Sequence, residues 1–140
     1  MRQIESQSPI NASEGEEMGT QILLVPGNQM MSEAVSAMRE SAGHRIRMET
    51  SGADALEAFS RNPRAFDLVI TDMGLPDISG LLLADKLFKM RPDIPVVLLT
   101  GEEGQAQSKA RNSGIGYFCT KPLSMADLAR TVEKALAGAE

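Results

Sequence analysis

A chain of 140 residues with 42% hydrophobic and 24% charged content is long enough for one self-sustaining globular domain. No apolar run approaches the ~20 residues of a membrane span, no signal-peptide pattern precedes the first predicted strand, and a single Cys119 excludes an internal disulfide. The net charge of −5 is uneven: residues 1–19 contribute −3 and the remainder offers no basic patch, which argues against nucleic-acid binding.

Residues 1–19 are polar, acidic and without periodicity, and read as a flexible tail or linker ahead of a domain at 20–138. Ile22-Leu23-Leu24-Val25 is a short continuous apolar run stopped by Pro26-Gly27-Asn28, the pattern of a strand buried on both faces. Met31, Ala34, Val35, Met38 and Ala42 recur at helical spacing, with Gly43 as the stop. The lone His44 then reads as a surface turn residue. Arg45 to Glu49 alternates Ile46 and Met48 with charges, predicting a shorter strand with one solvated side. Ser51 and Asp54 suggest a capping box for a helix carrying Ala55, Leu56 and Phe59, which Asn62-Pro63 ends.

An apolar strand over 67–71 leads into Asp72 and a loop punctuated by Gly74, Pro76 and Gly80. Ser79-Gly80 opens a helix with Leu82, Leu83, Leu87 and Met90 in phase, broken by Pro92. Ile94 to Thr100 is another apolar strand. Residues 102–112 have only Ala106 and Ala110 to mark an inner face, so this helix is expected to be the most loosely held. Gly116 to Thr120 is a fifth strand, with Cys119 as a small buried hydrophobe. Ser124 caps the last helix with Asp127 three residues on, Leu123 and Leu128 suit a hydrophobic staple, and Leu128, Val132 and Leu136 form its buried stripe. Strands alternating with helices argue an α/β doubly wound parallel sheet covered on both faces.

Three polar residues therefore end three successive strands: Asp72, Thr100 and Lys121. In such a sheet all strand C-termini share one edge, so the three can converge. A carboxylate nucleophile, a hydroxyl donor and a charge-neutralising ammonium together suit a phosphoryl group. A haloacid-dehalogenase-type phosphatase would need a second Asp where Gly74 stands, and no Walker-type loop occurs. With no Trp and one Tyr the chain also lacks the rings to stack a flavin.

The segments DLVITDMGLPDISG, DIPVVLLTG and GYFCTKPLSMADL give the chain its family likeness: over residues ~20–138 it resembles the receiver domains of two-component signalling. The resemblance implies a (βα)5 flavodoxin-like fold with strand order 2-1-3-4-5. It implies Asp72 as acceptor of a phosphoryl group from a partner's phosphohistidine, Thr100 as the sensing hydroxyl, Lys121 as the phosphate partner and Phe118 as the switching aromatic. Lys121-Pro122 matches the family's Lys-Pro junction.

One part of the pattern is missing. Similar proteins carry two adjacent acids after the first strand, which hold Mg²⁺ together with the acceptor Asp; this chain has Pro26 and Gly27. Asp72 and the Gly74 carbonyl are then the only expected ligands, so Mg²⁺ is expected at most weakly and no cofactor otherwise. An intact pocket has three carboxylates and one Lys; here Asp72 and Lys121 already balance. The expected function is an atypical receiver that docks signalling partners, with metal-dependent phosphorylation of Asp72 weakened or lost. The alternative is a functional phosphoacceptor. Neither is an enzyme in its own right. The expected partners are a sensor histidine kinase or phosphotransfer protein and a downstream protein met on the face of 102–112, the fifth strand and the last helix. No nucleic acid, no membrane and a cytoplasmic setting complete the expectation. With no DNA-binding segment after the last helix, the chain is similar to the C-terminal receivers of hybrid sensor kinases, or to a single-domain regulator.

Overall fold

In the computed structural model, residues 20–27, 44–101, 109, 111–120 and 124–138 are described. The predicted helix over 31–42, most of 102–112, Leu123 of the expected staple, and Asn28, Lys121 and Pro122 lie outside them.

Strand β1 spans Gln21–Val25, β2 Arg45–Met48, helix α1 Gly52–Arg61, β3 Leu68–Asp72, α2 Gly80–Met90, β4 Val96–Thr100, β5 Tyr117–Thr120 and α3 Met125–Gly138; a 3-10 turn at Pro63–Ala65 follows α1. All neighbouring strand pairs are parallel and the sheet order is β2-β1-β3-β4-β5, the doubly wound arrangement expected. The three central strands are buried along almost their whole length and apolar except at their ends, because both sheet faces are covered. The pleat sends alternate residues to opposite faces. Leu23, Val25, Val69, Val96 and Leu98 meet Ala55 and Phe59 of α1 and Leu83, Ala84 and Leu87 of α2. Ile22, Leu24, Leu68, Ile70, Val97 and Leu99 meet Leu128, Val132 and Ala135 of α3.

The helix starts are specified locally. The Ser51 side chain accepts from the Asp54 N–H (3.1 Å), Ser79 from Leu82 (3.1 Å) and Ser124 from Asp127 (3.0 Å), each satisfying an amide that the first turn leaves without an intrahelical partner. At the far edge of the sheet Arg91, at the C-cap of α2, donates through Nη1 to the carbonyls of Pro63 (2.8 Å) and Phe66 (2.5 Å), and so ties the end of α2 to the turn after α1.

Three expectations are corrected. His44 is buried, not a surface turn residue, and its Nε2 stands 3.6 Å from the Glu133 carboxylate of α3. Met48 is exposed, since β2 is an edge strand with only Ile46 half-covered. The inner face of α2 is Leu83, Ala84 and Leu87, while Leu82 and Met90 face outward. The run Leu81-Leu82-Leu83 has apolar residues in every phase, so periodicity could not choose among them. Cys119 is buried as expected; its thiol donates to the Thr131 hydroxyl (3.3 Å), and burial pushes the thiol up from its ordinary pKa.

Candidate functional site

Asp72 is the last residue of β3 and only 4% exposed. Its ladder partner is Leu99, and the Met73 N–H extends the ladder by donating to the Leu99 carbonyl (2.9 Å). Thr100, the next residue of β4, is 1% exposed and pairs with Thr120 of β5. Two of the three predicted strand-end groups thus stand on adjacent strands at one edge; the third, Lys121, lies outside the described residues. Phe118 is in register with Leu98, two residues before Thr100 and on the same face, half-buried against the cluster under α1 and α2. The Arg111 guanidinium carbon lies 5.3 Å from the centre of its ring, a cation–π contact. Nothing in the sequence singled out Arg111.

Gly27, two residues after the end of β1, is pressed against Asp72. A Cβ built there would lie 1.8 Å from Asp72 Oδ2, 2.7 Å from its Cγ and 2.9 Å from the Gly74 carbonyl oxygen. The Asp72 carboxylate thus fills the space in which a side chain at position 27 would begin. On its other flank, a Cβ at Gly80 would lie 2.3 Å from the Asp72 carbonyl oxygen, so the first residue of α2 has to be small for the helix to start where it does. The Thr71 hydroxyl donates to the same carbonyl (2.9 Å).

The loop after Asp72 is closed at its neck and anchored at its tip. The Gly80 N–H donates to the Met73 carbonyl (2.7 Å), and Gly74 and Ser79 form an antiparallel bridge. At the tip, the Asp77 carboxylate accepts from the N–H groups of Gly52 (2.8 Å) and Ala53 (2.9 Å) at the start of α1, and from Ile78 (3.0 Å). These donors, Gly52 first and Ala53 next, hold the Asp77 carboxyl below its ordinary pKa. Asp77 stands in the motif segment but its partners are 25 and 24 residues away, beyond the reach of local pattern reading.

The donor set does not fit the divalent ion of the family. Mg²⁺ is held near-octahedrally by hard oxygens, usually carboxylates. Pro26 and Gly27 bring no side-chain oxygen, and the Asp72 carboxylate lies against Gly27 where another ligand would have to start. Among the described residues no group of three or more His, Cys, Asp or Glu side chains could hold a metal ion.

A five-stranded parallel α/β sheet in the order 2-1-3-4-5, with a buried carboxylate ending its central strand, defines a class of module in which chemistry happens at one sheet edge. The response regulator receiver domain family matches residues 22–133, and the chain belongs to it. It is 31% identical over 116 residues to the aerobic respiration control sensor protein ArcB of Escherichia coli K12, and 29% identical over 117 residues to the transcriptional regulatory protein ZraR of Escherichia coli O157:H7. These matches cover 81% and 83% of this chain but only 15% and 26% of those proteins. A receiver domain protein from Clostridium thermocellum superposes with a TM-score of 0.77 at 26% identity, covering 85% of this chain and 95% of that one. Receivers are signalling modules of two-component systems and work with histidine kinases or phosphotransfer proteins. Among the described residues no helix is long and apolar enough to cross a membrane.

Proposed function

We propose that this receiver is an atypical one, docking signalling partners while metal-dependent phosphorylation of Asp72 is weakened or lost. The observation that carries the reading is the contact between Asp72 and Gly27: the carboxylate rests on bare backbone where receivers of the family place an acid. Without that acid the acceptor lacks the ion that neutralises charge on a transferring phosphoryl group. Lys121 is assigned as the cation that balances Asp72. The domain is assigned to 20–138, with residues 1–19 as a linker, and the working compartment is the cytoplasm. A histidine kinase or phosphotransfer protein meets the Asp72 edge, and a downstream protein meets the face of β5, α3 and the segment before β5.

A second reading keeps Asp72 as a working acceptor. The burial of Asp72 and Thr100 on adjacent strands, with Phe118 on the Thr100 face, favours it. In that reading the carboxylate attacks phosphorus as the donor's N–P bond breaks, and Thr100 donates to a phosphoryl oxygen. Incubation with acetyl phosphate, with and without Mg²⁺, followed by intact-mass and peptide mass spectrometry separates the two. The atypical receiver gives sparse labelling that Mg²⁺ leaves nearly unchanged. Stoichiometric, Mg²⁺-dependent labelling at Asp72 overturns it in favour of the second.

A further inference from the structure

We propose that Asp77 is a positioning residue for the acceptor segment: by binding the start of α1 at the loop tip, its carboxylate sets where the neck of the loop, and Asp72 beside it, stands. The inference rests on Asp72 being the acceptor position. Four contacts carry it. The carboxylate takes the N–H groups of Gly52 and Ala53. Ile78 packs flat on Gly52, with its Cγ1 and Cδ1 2.5 and 2.6 Å from where a Cβ of Gly52 would lie. The Gly74–Ser79 bridge makes the two sides of the loop one unit. The Gly80 N–H then closes that unit on Met73, the residue bonded to Asp72. A displacement at the tip therefore has no slack to absorb it before the acceptor.

The competing explanation is that Asp77 only caps a helix. The N–H groups at positions one and two of α1 lack intrahelical partners, and a negative charge there is favoured by the helix dipole. Ser51 provides a built-in comparison, because it caps the same helix from within, through Asp54 N–H, and among the described residues makes no side-chain hydrogen bond to the loop. If Asp77 acted as a cap alone, losing either residue would be felt in α1 and nowhere else in particular.

The test is amide hydrogen exchange and side-chain carboxyl ¹³C NMR at neutral pH on the full chain, comparing wild type with Asp77→Ala, Asp77→Asn and Ser51→Ala. Exchange of the Gly80 amide is read relative to the β4 amides, which report global stability. Asp77→Ala is expected to speed Gly80 exchange roughly tenfold on that scale and to shift the Asp72 carboxyl resonance, a factor in keeping with losing a cap-sized interaction. Asp77→Asn keeps one acceptor oxygen and turns an NH₂ toward a backbone donor, so a smaller change of the same sign is expected; it also carries the comparison should the alanine variant not fold. Ser51→Ala should loosen α1 amides while Gly80 and Asp72 stay at wild-type values. The proposal is overturned if Ser51→Ala moves Gly80 and Asp72 as far as the Asp77 variants do, or if the Asp77 variants leave both unmoved. Neither readout requires phosphorylation, so an Asp72 that refuses acetyl phosphate changes neither the expected result nor the one that overturns the proposal.

Discussion

The closest approach in the site is also the most exacting to perturb. In Gly27→Ala a methyl carbon would enter 1.8 Å from Asp72 Oδ2, where real Cβ contacts do not fall below 3.0 Å. The carboxylate has to withdraw by at least 1.2 Å, the difference between the two, and the Gly74 carbonyl oxygen, 2.9 Å from the same methyl position, is crowded as well. Overpacking of this kind costs about 1–3 kcal/mol. Replacing glycine also narrows the unfolded ensemble, which returns about 0.4–1 kcal/mol. Gly74→Ala isolates that second effect, because a Cβ there has nothing within 4 Å among the described residues. The difference between the two variants is therefore the contact itself, about 2 kcal/mol on the same overpacking scale.

Urea unfolding followed by circular dichroism measures it. With a slope of about 2 kcal/mol per molar, the Gly27→Ala midpoint should fall about 1 M below that of Gly74→Ala. Gly27→Asp adds a second carboxylate within ~4 Å of the first, worth up to about 4 kcal/mol of repulsion at an effective dielectric of about 20, and should be the least stable of the three in metal-free buffer. Equal midpoints for Gly27→Ala and Gly74→Ala would mean that Asp72 does not lean on Gly27, and would remove the steric component from the proposed weakening of metal binding.

Two further outcomes are expected away from that contact. Arg91→Ala leaves the Pro63 and Phe66 carbonyls without their guanidinium donor; hydrogen bonds from a charged group are worth about 1.5–3 kcal/mol, so a urea-midpoint loss of that order is expected, with Arg91→Lys intermediate. The depressed Asp77 pKa makes a pH signature: its contribution is complete above the unfolded value of about 4 and is lost as pH falls through the lower folded value. The stability gap between wild type and Asp77→Asn, measured by urea titration, should therefore be constant from about pH 7 to 5 and narrow toward about pH 3. A gap that widens on acidification would contradict the assigned charge state.

The sheet was legible because its central strands are buried on both faces and read as unbroken apolar runs at β1, β3 and β4. The strand-end positions of Asp72 and Thr100 were legible for a related reason, since each closes such a run, whereas Phe118 was named only through the family resemblance. Helix faces were less so. Leu81-Leu82-Leu83 satisfies several phases at once, and only packing against β3 and β4 turns Leu83 rather than Leu82 inward. His44 escapes a local reading because burial of a strand-leading residue depends on α3, far later in the chain, and not on its neighbours. The replacement of the acids by Pro26-Gly27 was visible; that Asp72 occupies the vacated volume was not, because side-chain placement is a tertiary property. Asp77 and Gly52 meet across 25 residues, and no local spacing announces the pair.

Three glycines from three different elements close on the same short segment. Gly27 after β1 meets the Asp72 carboxylate, Gly80 of α2 meets its carbonyl oxygen, and Gly52 of α1 meets Ile78. In each place a Cβ would fall within 2.6 Å of that segment, so Asp72 and its loop are bedded directly on backbone, which cannot change rotamer to make way. The remaining side is different. Toward β4 and β5 the described groups are side chains: Thr100 on the adjacent strand, and Phe118 with the Arg111 group over its ring. A response to whatever docks at Asp72, phosphoryl group or protein, finds its movable parts on that side. The asymmetry between backbone on one side and side chains on the other comes from packing around the loop and needs no ion.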